Sequence, residues 1–248
     1  MSELFEELTQ TLAQEQGVAL ATVVRGADSI GSKLIVFPDK TTRGTLGNKE
    51  LDDLVIEDAE RAIWRSDAKT YTYTLATTGQ TIDVFIEGFP PPPELLIIGA
   101  GHIAIPLTTI ARTLHYHVVV IDARAAFATQ ERFPDADELI VEWPDEVLQK
   151  KHLYPSTSIA VLTHDPKFDE PSLKVALASR AGYVGAIGSR KTSIERAERL
   201  LRQGLTEEQI KNIHGPIGLN IGATTPEEIA LAIMAEIVAF RHGKNDTK

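Results

Sequence analysis

Hydrophobic positions along this chain change period part-way. In residues 2–16, Leu4, Phe5, Leu8 and Leu12 recur at helical spacing, and Gly17 follows as a stop. Val18–Val24 and Leu34–Phe37 read as strands, divided by a turn region over Gly26–Gly31. Apolar positions 51, 54, 55, 59, 62 and 63 predict an amphipathic helix over Leu51–Trp64. Tyr71–Leu75 and Ile82–Ile86 read as a hairpin around Thr-Thr-Gly-Gln. Residues 1–88 are therefore expected to form a small α+β domain. Phe89 and the prolines at 90–93 follow. Four consecutive prolines fit neither a helix nor a central strand, so 89–93 is expected to be a stiff linker.

From residue 94 the pattern becomes continuous apolar runs alternating with helical periods. Strands are predicted at Leu95–Ile98, Val118–Ile121, Leu139–Val141, Ile159–Leu162 and Tyr183–Ile187. Helices are predicted at Ile103–Leu114, Asp145–Lys151, Ser172–Arg180 and Lys191–Gln203. Pro106 falls inside the first of these helices and is expected to bend it. Thr206–Gln209 and Thr225–Glu228 are capping boxes, the second opening a last helix with the stripe Ile229, Ile233, Ile237 and Phe240. Unbroken apolar runs suit strands buried on both faces. The fold class is α/β: a Rossmann-like parallel sheet over residues 94–248, preceded by the α+β domain.

Composition narrows the chemistry. The formal charge of −10, from 25 basic against 35 acidic residues, argues against a general binder of nucleic acid or of a membrane surface. No long apolar span and no export signal is read, so a cytoplasmic home is expected. The chain has no cysteine, which excludes disulfides, thiolate metal sites and a cysteine nucleophile.

Open parallel sheets bind ligands beyond the carboxyl ends of their strands. That rule selects Gly99, Gly101 and His102, then Asp122 and Arg124, then His164 and Asp165. Gly188, Ser189 and Arg190 open a helix, where an arriving anion would turn Arg190 and Lys191 into favourable neighbours. The passage from His214 to Gly222, which includes Asn220, is glycine-rich and able to line the same crevice. Asp122 stands where a carboxylate commonly accepts from ribose hydroxyls. His115, His117, His152 and His242 have no metal-ligand spacing with carboxylates and read as structural.

The segments GAGHIA, VIDAR, ERFPDAD, LTHDP, AIGSRKT and IHGPIGLNIGATTPEEIALAIMAEIVAFRHG, in this order, resemble the Rossmann domain of the xanthine dehydrogenase accessory factor (XdhC/CoxI) family. The resemblance implies a protein of molybdenum hydroxylase maturation. Such a protein binds molybdenum cofactor (molybdopterin), protects it, assists its sulfuration with a separate sulfurtransferase, and delivers it to the apo molybdenum hydroxylase. It also implies that the candidates named above bind the cofactor, and a homodimer is expected from the family and from the apolar last helix. The first domain departs from the family pattern. Its counterparts are Arg25–Lys33 and Gly44–Asp52, where Asn48 and Lys49 replace glycines and Glu50 stands where cysteine is usual. A sulfur relay on this chain's own thiol is therefore impossible.

Three readings follow. The first is a non-catalytic cofactor chaperone. The second is an NAD-dependent oxidoreductase, which gains from GAGHIA and Asp122 but lacks an evident catalytic set. The third is a docking partner of a molybdenum enzyme.

Overall fold

The computed structural model describes residues 3–26 and 29–244. The chain divides into two compact units, 1–92 and 93–248. Of the turn region and the RGADSIGSK segment read from the sequence, Ala27 and Asp28 lie outside the described residues.

The first unit contains α1 (Glu3–Ala13), β1 (Val18–Arg25), β2 (Lys33–Val36), β3 (Thr42–Thr45), α2 (Lys49–Arg65), β4 (Ala68–Thr74) and β5 (Thr81–Phe89). Its antiparallel sheet has the order β3-β2-β1-β5-β4. Side-chain alternation splits the sheet into two faces. Ala19, Ala21, Val23, Val84 and Ile86 pack with Val55, Ala59 and Ile63 of α2. Val18 and Leu20 on the other face pack with Leu8 of α1. Gly88 lets α2 approach β5: a Cβ there would lie 2.1 Å from the backbone carbon and oxygen of Ala62. The predicted hairpin is present, with Thr74 opposite Thr81. Strand β3 was not expected, because Thr-Arg-Gly-Thr carries no apolar side chain and the edge it forms is solvated. Phe89 belongs to β5, opposite Val18.

The second unit contains β6 (Glu94–Ile98), α3 (Ala104–Thr113), β7 (His117–Ile121), β8 (Glu138–Ile140), α4 (Pro144–Lys150) and β9 (Thr157–Val161). They are followed by α5 (Pro166–Ala178), β10 (Tyr183–Ala186), α6 (Arg190–Arg202), α7 (Glu207–Lys211), β11 (Ile213–His214) and α8 (Pro226–Arg241). All strand pairs are parallel, in the order β11-β10-β9-β6-β7-β8. Leu95 and Ile97 face α3 and α8. Leu96 and Ile98 face α4, α5 and α6. Burial on both faces is why the strand runs are apolar without alternation.

Both capping boxes form, at Thr206–Gln209 and Thr225–Glu228. Two helical expectations change. Pro106 lies in the first turn of α3, where backbone N–H groups have no partner inside the helix, so it removes no bond from the helix interior. The first turn closes one residue later, by Leu107 donating to the Ile103 carbonyl. Helix α5 starts at Pro166, upstream of the expected Ser172, and continues through Pro171. Asp165 caps it and Pro166 occupies the first helical position, a favourable pairing that outweighs the interior proline. Strand β11, two residues long, gives no sequence pattern. Ile233 and Ile237 of the α8 stripe lie in the sheet core, with Ile229 and Phe240 packed against it. The stripe therefore lends no support to the expected dimer. Among the described residues no helix is long and apolar enough to cross a membrane.

Candidate ligand crevice

Strand order reverses between β6 and β9, so the loops after these strands flank the switch point. The loop after β6 starts with Gly99 at φ +102°. A Cβ here would meet the Thr163 side chain at 2.7 Å and the Thr163 backbone nitrogen at 3.0 Å. Only glycine combines this backbone with that contact. Gly101 differs, since a Cβ there would enter open space. His102 is exposed beside it. Helix α3 follows with Ile103 at its cap position, which supplies no side-chain oxygen, and with no acidic residue in the first turn. Its first N–H groups therefore face the crevice without a side-chain cap, a favourable place for an anion.

Asp122 is buried and directed inward. Its carboxylate accepts from Ala100 N (2.8 Å), Arg124 N (2.9 Å), Arg124 Nε (2.9 Å) and Arg124 Nη2 (2.7 Å). Burial alone would raise this carboxyl, but the hydrogen bonds from Arg124 and from the Ala100 and Arg124 amides hold it below its ordinary value. The Arg124 guanidinium is held above its ordinary value, chiefly by the same bonds to Asp122. Asp122 thus fastens the glycine loop to the β7 loop, with its acceptor positions occupied from within.

After β9, Thr163 donates its hydroxyl to buried Asp169 and accepts from Asp165 N at 3.2 Å. Asp165 caps α5 by accepting from Lys167 N at 3.0 Å. His164 is exposed, with φ +61°. Asp169 lies 3.5 Å from Arg196 Nη2, which also donates to the Ile187 carbonyl at 2.6 Å. Burial raises the Asp169 carboxyl and lowers the Arg196 guanidinium. Arg196 Nη1 is buried with no hydrogen-bond partner among the described residues. This line of contacts links Gly99, through Thr163, Asp169 and Arg196, to the strand end before Gly188.

Ser189 caps α6, accepting from Thr192 N at 3.1 Å. Gly188, Arg190 and Asn220 line one cleft of about 570 Å³ together with Gly215, Gly218 and Gly222. Lys191 is largely solvated and pairs with Glu195 at 3.9 Å. His214 is not among the cleft's lining residues. Its ring packs tilted against Tyr183 with centroids 4.5 Å apart and lies 3.3 Å from Glu236. Buried Glu236 also accepts from Tyr183 Oη and Gly218 N, both at 2.6 Å, pinning the glycine-rich loop to α8. Burial, then the Glu236 charge, drives the Tyr183 phenol well up. Beside this anchor the Ile217 side chain fills the space over Gly185, where a Cβ would meet it at 2.5 Å.

The structure thus gathers Gly99, Asp122, Arg124 and Asp165 around the switch point, and Gly188, Arg190 and Asn220 around the cleft. Gly101, His102 and His164 lie on loops open to solvent, Ser189 is a helix cap, and His214 packs in a ring cluster. Sequence reading passed over Asp169, Arg196 and Glu236. The available signal was a charged residue at the apolar phase of a helix, as with Glu236 inside LAIMAEIVAF. Among the described residues no group of three histidine or acidic side chains is placed to hold a metal ion.

In the first unit the segment that departs from the family pattern has a structural use. Asn48 caps α2, accepting from Glu50 N (2.8 Å) and Leu51 N (3.4 Å). The Glu50 carboxylate accepts from Thr77 Oγ1 and Ala76 N, both at 2.6 Å, tying α2 to the hairpin turn. The bonds from Thr77 and Ala76 hold it below its ordinary value.

Residues 95–237 match the family model described as the XdhC Rossmann domain, and residues 11–74 match the model of the XdhC and CoxI family. The chain is 32% identical over 201 residues to a probable xanthine dehydrogenase subunit from Bacillus subtilis (81% of this chain, 56% of that protein). It is 26% identical over 175 residues to the molybdenum cofactor insertion chaperone PaoD of Escherichia coli (70% of this chain, 48% of that protein). The chain therefore spans about half the length of the curated relatives it matches. A Bacillus halodurans structure described as a xanthine dehydrogenase shares the fold, with TM-score 0.56, 22% identity, and coverage of 99% of this chain and 97% of that one.

Proposed function

Since this chain belongs to the XdhC and CoxI family, we propose that it carries molybdenum cofactor, as cargo, to an apo molybdenum hydroxylase of the xanthine dehydrogenase type. The observation that carries this reading is the pair of anion-ready features on one sheet edge. One is the uncapped N-terminus of α3 beside the open space at Gly101; the other is the cleft bearing Arg190 and Asn220. A phosphorylated pterin needs amide donors and a cation for its phosphate, and hydrogen-bond donors for its ring. Arg190 has no ion pair among the described residues and supplies the cation.

The role is one of holding and protecting. With no cysteine in the chain, any sulfur added to the cargo comes from a separate sulfurtransferase. The relative named as an insertion chaperone supports the same class of role. The NAD reading loses its ribose acceptor, because Asp122 has its oxygens engaged by Arg124 and Ala100.

Anaerobic titration of the protein with molybdenum cofactor tests the proposal, with NAD as competitor. Saturable binding that NAD does not displace, weakened by Arg190→Ala, is the expected result. Absence of binding at micromolar cofactor, or displacement by NAD at comparable concentration, overturns it.

A further inference from the structure

One patch on the same sheet edge combines exposed aromatic rings with cations. Three segments that follow strand ends, after β7, β8 and β9, bring forward Phe127, Trp143 and Phe168. Phe127 is 39% and Trp143 38% exposed, although large aromatic rings ordinarily find cover. Trp143 and Phe168 pack at 5.0 Å between centroids. Cations are threaded among the rings. The Arg124 guanidinium lies 4.4 Å from the centre of Phe127 and 5.6 Å from Phe168. Lys167 Nζ lies 4.8 Å from Trp143, and Arg132 lies 5.7 Å from Phe127. Neither Lys167 nor Arg132 has a carboxylate partner among the described residues. This occurs on a chain of formal charge −10.

We propose that this aromatic and cationic lip is a binding subsite for a flat heteroaromatic ring carrying phosphate. The ring lies on Trp143, Phe127 and Phe168, and Lys167 and Arg132 meet the anion. Three observations select this ligand chemistry. Partly exposed Phe127 and Trp143 rings offer π-surface to another flat system without demanding a particular sequence of donors. Lys167 sits on Trp143 as an exposed cation–π contact, a weak association readily exchanged for an anion. The lip is continuous with the crevice, because Arg124 under the rings is bonded to Asp122, which is bonded to Ala100 of the glycine loop. The proposal rests on the ligand-binding reading of that crevice and extends it with a second place on the same sheet edge that takes a ring together with its own phosphate. A pterin and a nucleobase share the required chemistry.

The test uses the emission of Trp143 in the full chain, with Trp64→Phe removing the other tryptophan. The probes are a pterin phosphate, 5′-CMP and 5′-GMP, with ribose 5-phosphate and inorganic phosphate as ring-free controls. Expected is saturable quenching by at least one ring-bearing phosphate and none by the controls. Phe168→Ala weakens the binding by about tenfold, the scale of one lost ring stack. Lys167→Ala, at an exposed site that leaves the fold intact, weakens it less and flattens its salt dependence. The stronger of the pterin and nucleotide arms identifies the source of the ring. Equal quenching by the ring-free controls, or no saturable quenching by any ring-bearing probe, overturns the proposal. So does protection of Trp143 only by an apo molybdenum hydroxylase, which would make the lip a protein interface. If molybdenum cofactor binds in the anaerobic titration without changing Trp143 emission, the lip proposal falls and the carrier reading stands.

Discussion

The starts of α2 and α3 solve the same problem in opposite ways. Each is the first helix after a glycine-containing loop, and each leaves early N–H groups without an intrahelical partner. In the antiparallel unit Asn48 accepts from the Glu50 and Leu51 amides, and the carboxylate of Glu50 in the same turn accepts from Ala76 N and Thr77 Oγ1. In the parallel unit the early N–H groups stay open, because Ile103 has no oxygen to offer and Asp122 engages only Ala100 in the loop before the helix. The difference teaches where this chain keeps binding capacity. Polar groups satisfied from within stiffen a unit, and polar groups left facing a crevice wait for a ligand.

The comparison can be broken most forcefully at the glycines. Gly88→Ala drives a Cβ into the Ala62 backbone at 2.1 Å, a collision no rotamer relieves. We expect a loss above about 4 kcal/mol, enough to leave the first unit unfolded in a denaturant titration. The second effect is at Asp122. Removing its carboxylate in Asp122→Ala orphans the buried Ala100 amide and frees Arg124, for about 2 to 3 kcal/mol. This stays below the range for fully buried pairs, because the Arg124 side chain keeps 38% of its exposure to water.

The same residue makes a pH prediction. Its folded carboxyl is held low, so its contribution to stability is complete above the unfolded value of about 4 and disappears as pH falls through the lower folded value. Asp122→Asn should therefore flatten the acid limb of the stability curve, measured by urea midpoints between neutral and strongly acidic buffer. An unchanged acid limb would show that Asp122 does not tie the glycine loop to the β7 loop.

Smaller effects sharpen the contrast. Asn48→Ala should lower stability by about 1 kcal/mol, the usual value of a lost cap, and leave cofactor binding unchanged. Gly101→Ala should do the reverse: stability within about 0.5 kcal/mol of the parent, since the added methyl meets nothing, with weaker cofactor binding in the anaerobic titration.

Much of this was legible in the order of residues. The unbroken runs at 95–98, 118–121 and 159–162 announced strands buried on two faces, and the switch-point rule pointed to the loops after them. What stayed hidden had too little pattern or too much context. Strand β3 has no apolar residue to alternate, and β11 is two residues long. The cost of Pro106 depends on its turn within the helix, which the sequence pattern left open by a residue. Asp122 was readable as a ribose acceptor until Arg124, two residues on, turned back and occupied its oxygens. The Asp169–Arg196 pair joins residues 27 positions apart on two helices that each look solvated when read alone. Pairings of that kind are properties of packing.

Ile217 lying over Gly185 has an implication for how this chain can change. A larger residue at 185 would be rejected while the isoleucine is present, and a smaller one at 217 would open a void over the sheet beside the Glu236 anchor. Trimming Ile217 to valine does not make room either, because a Cβ at 185 would still meet the Cγ1 position at 2.6 Å and the Tyr183 hydroxyl, held by Glu236, at 2.7 Å. Gly185→Ala should therefore stay destabilising with Ile217→Val beside it, and this wall of the sheet is closed to stepwise exchange at position 185.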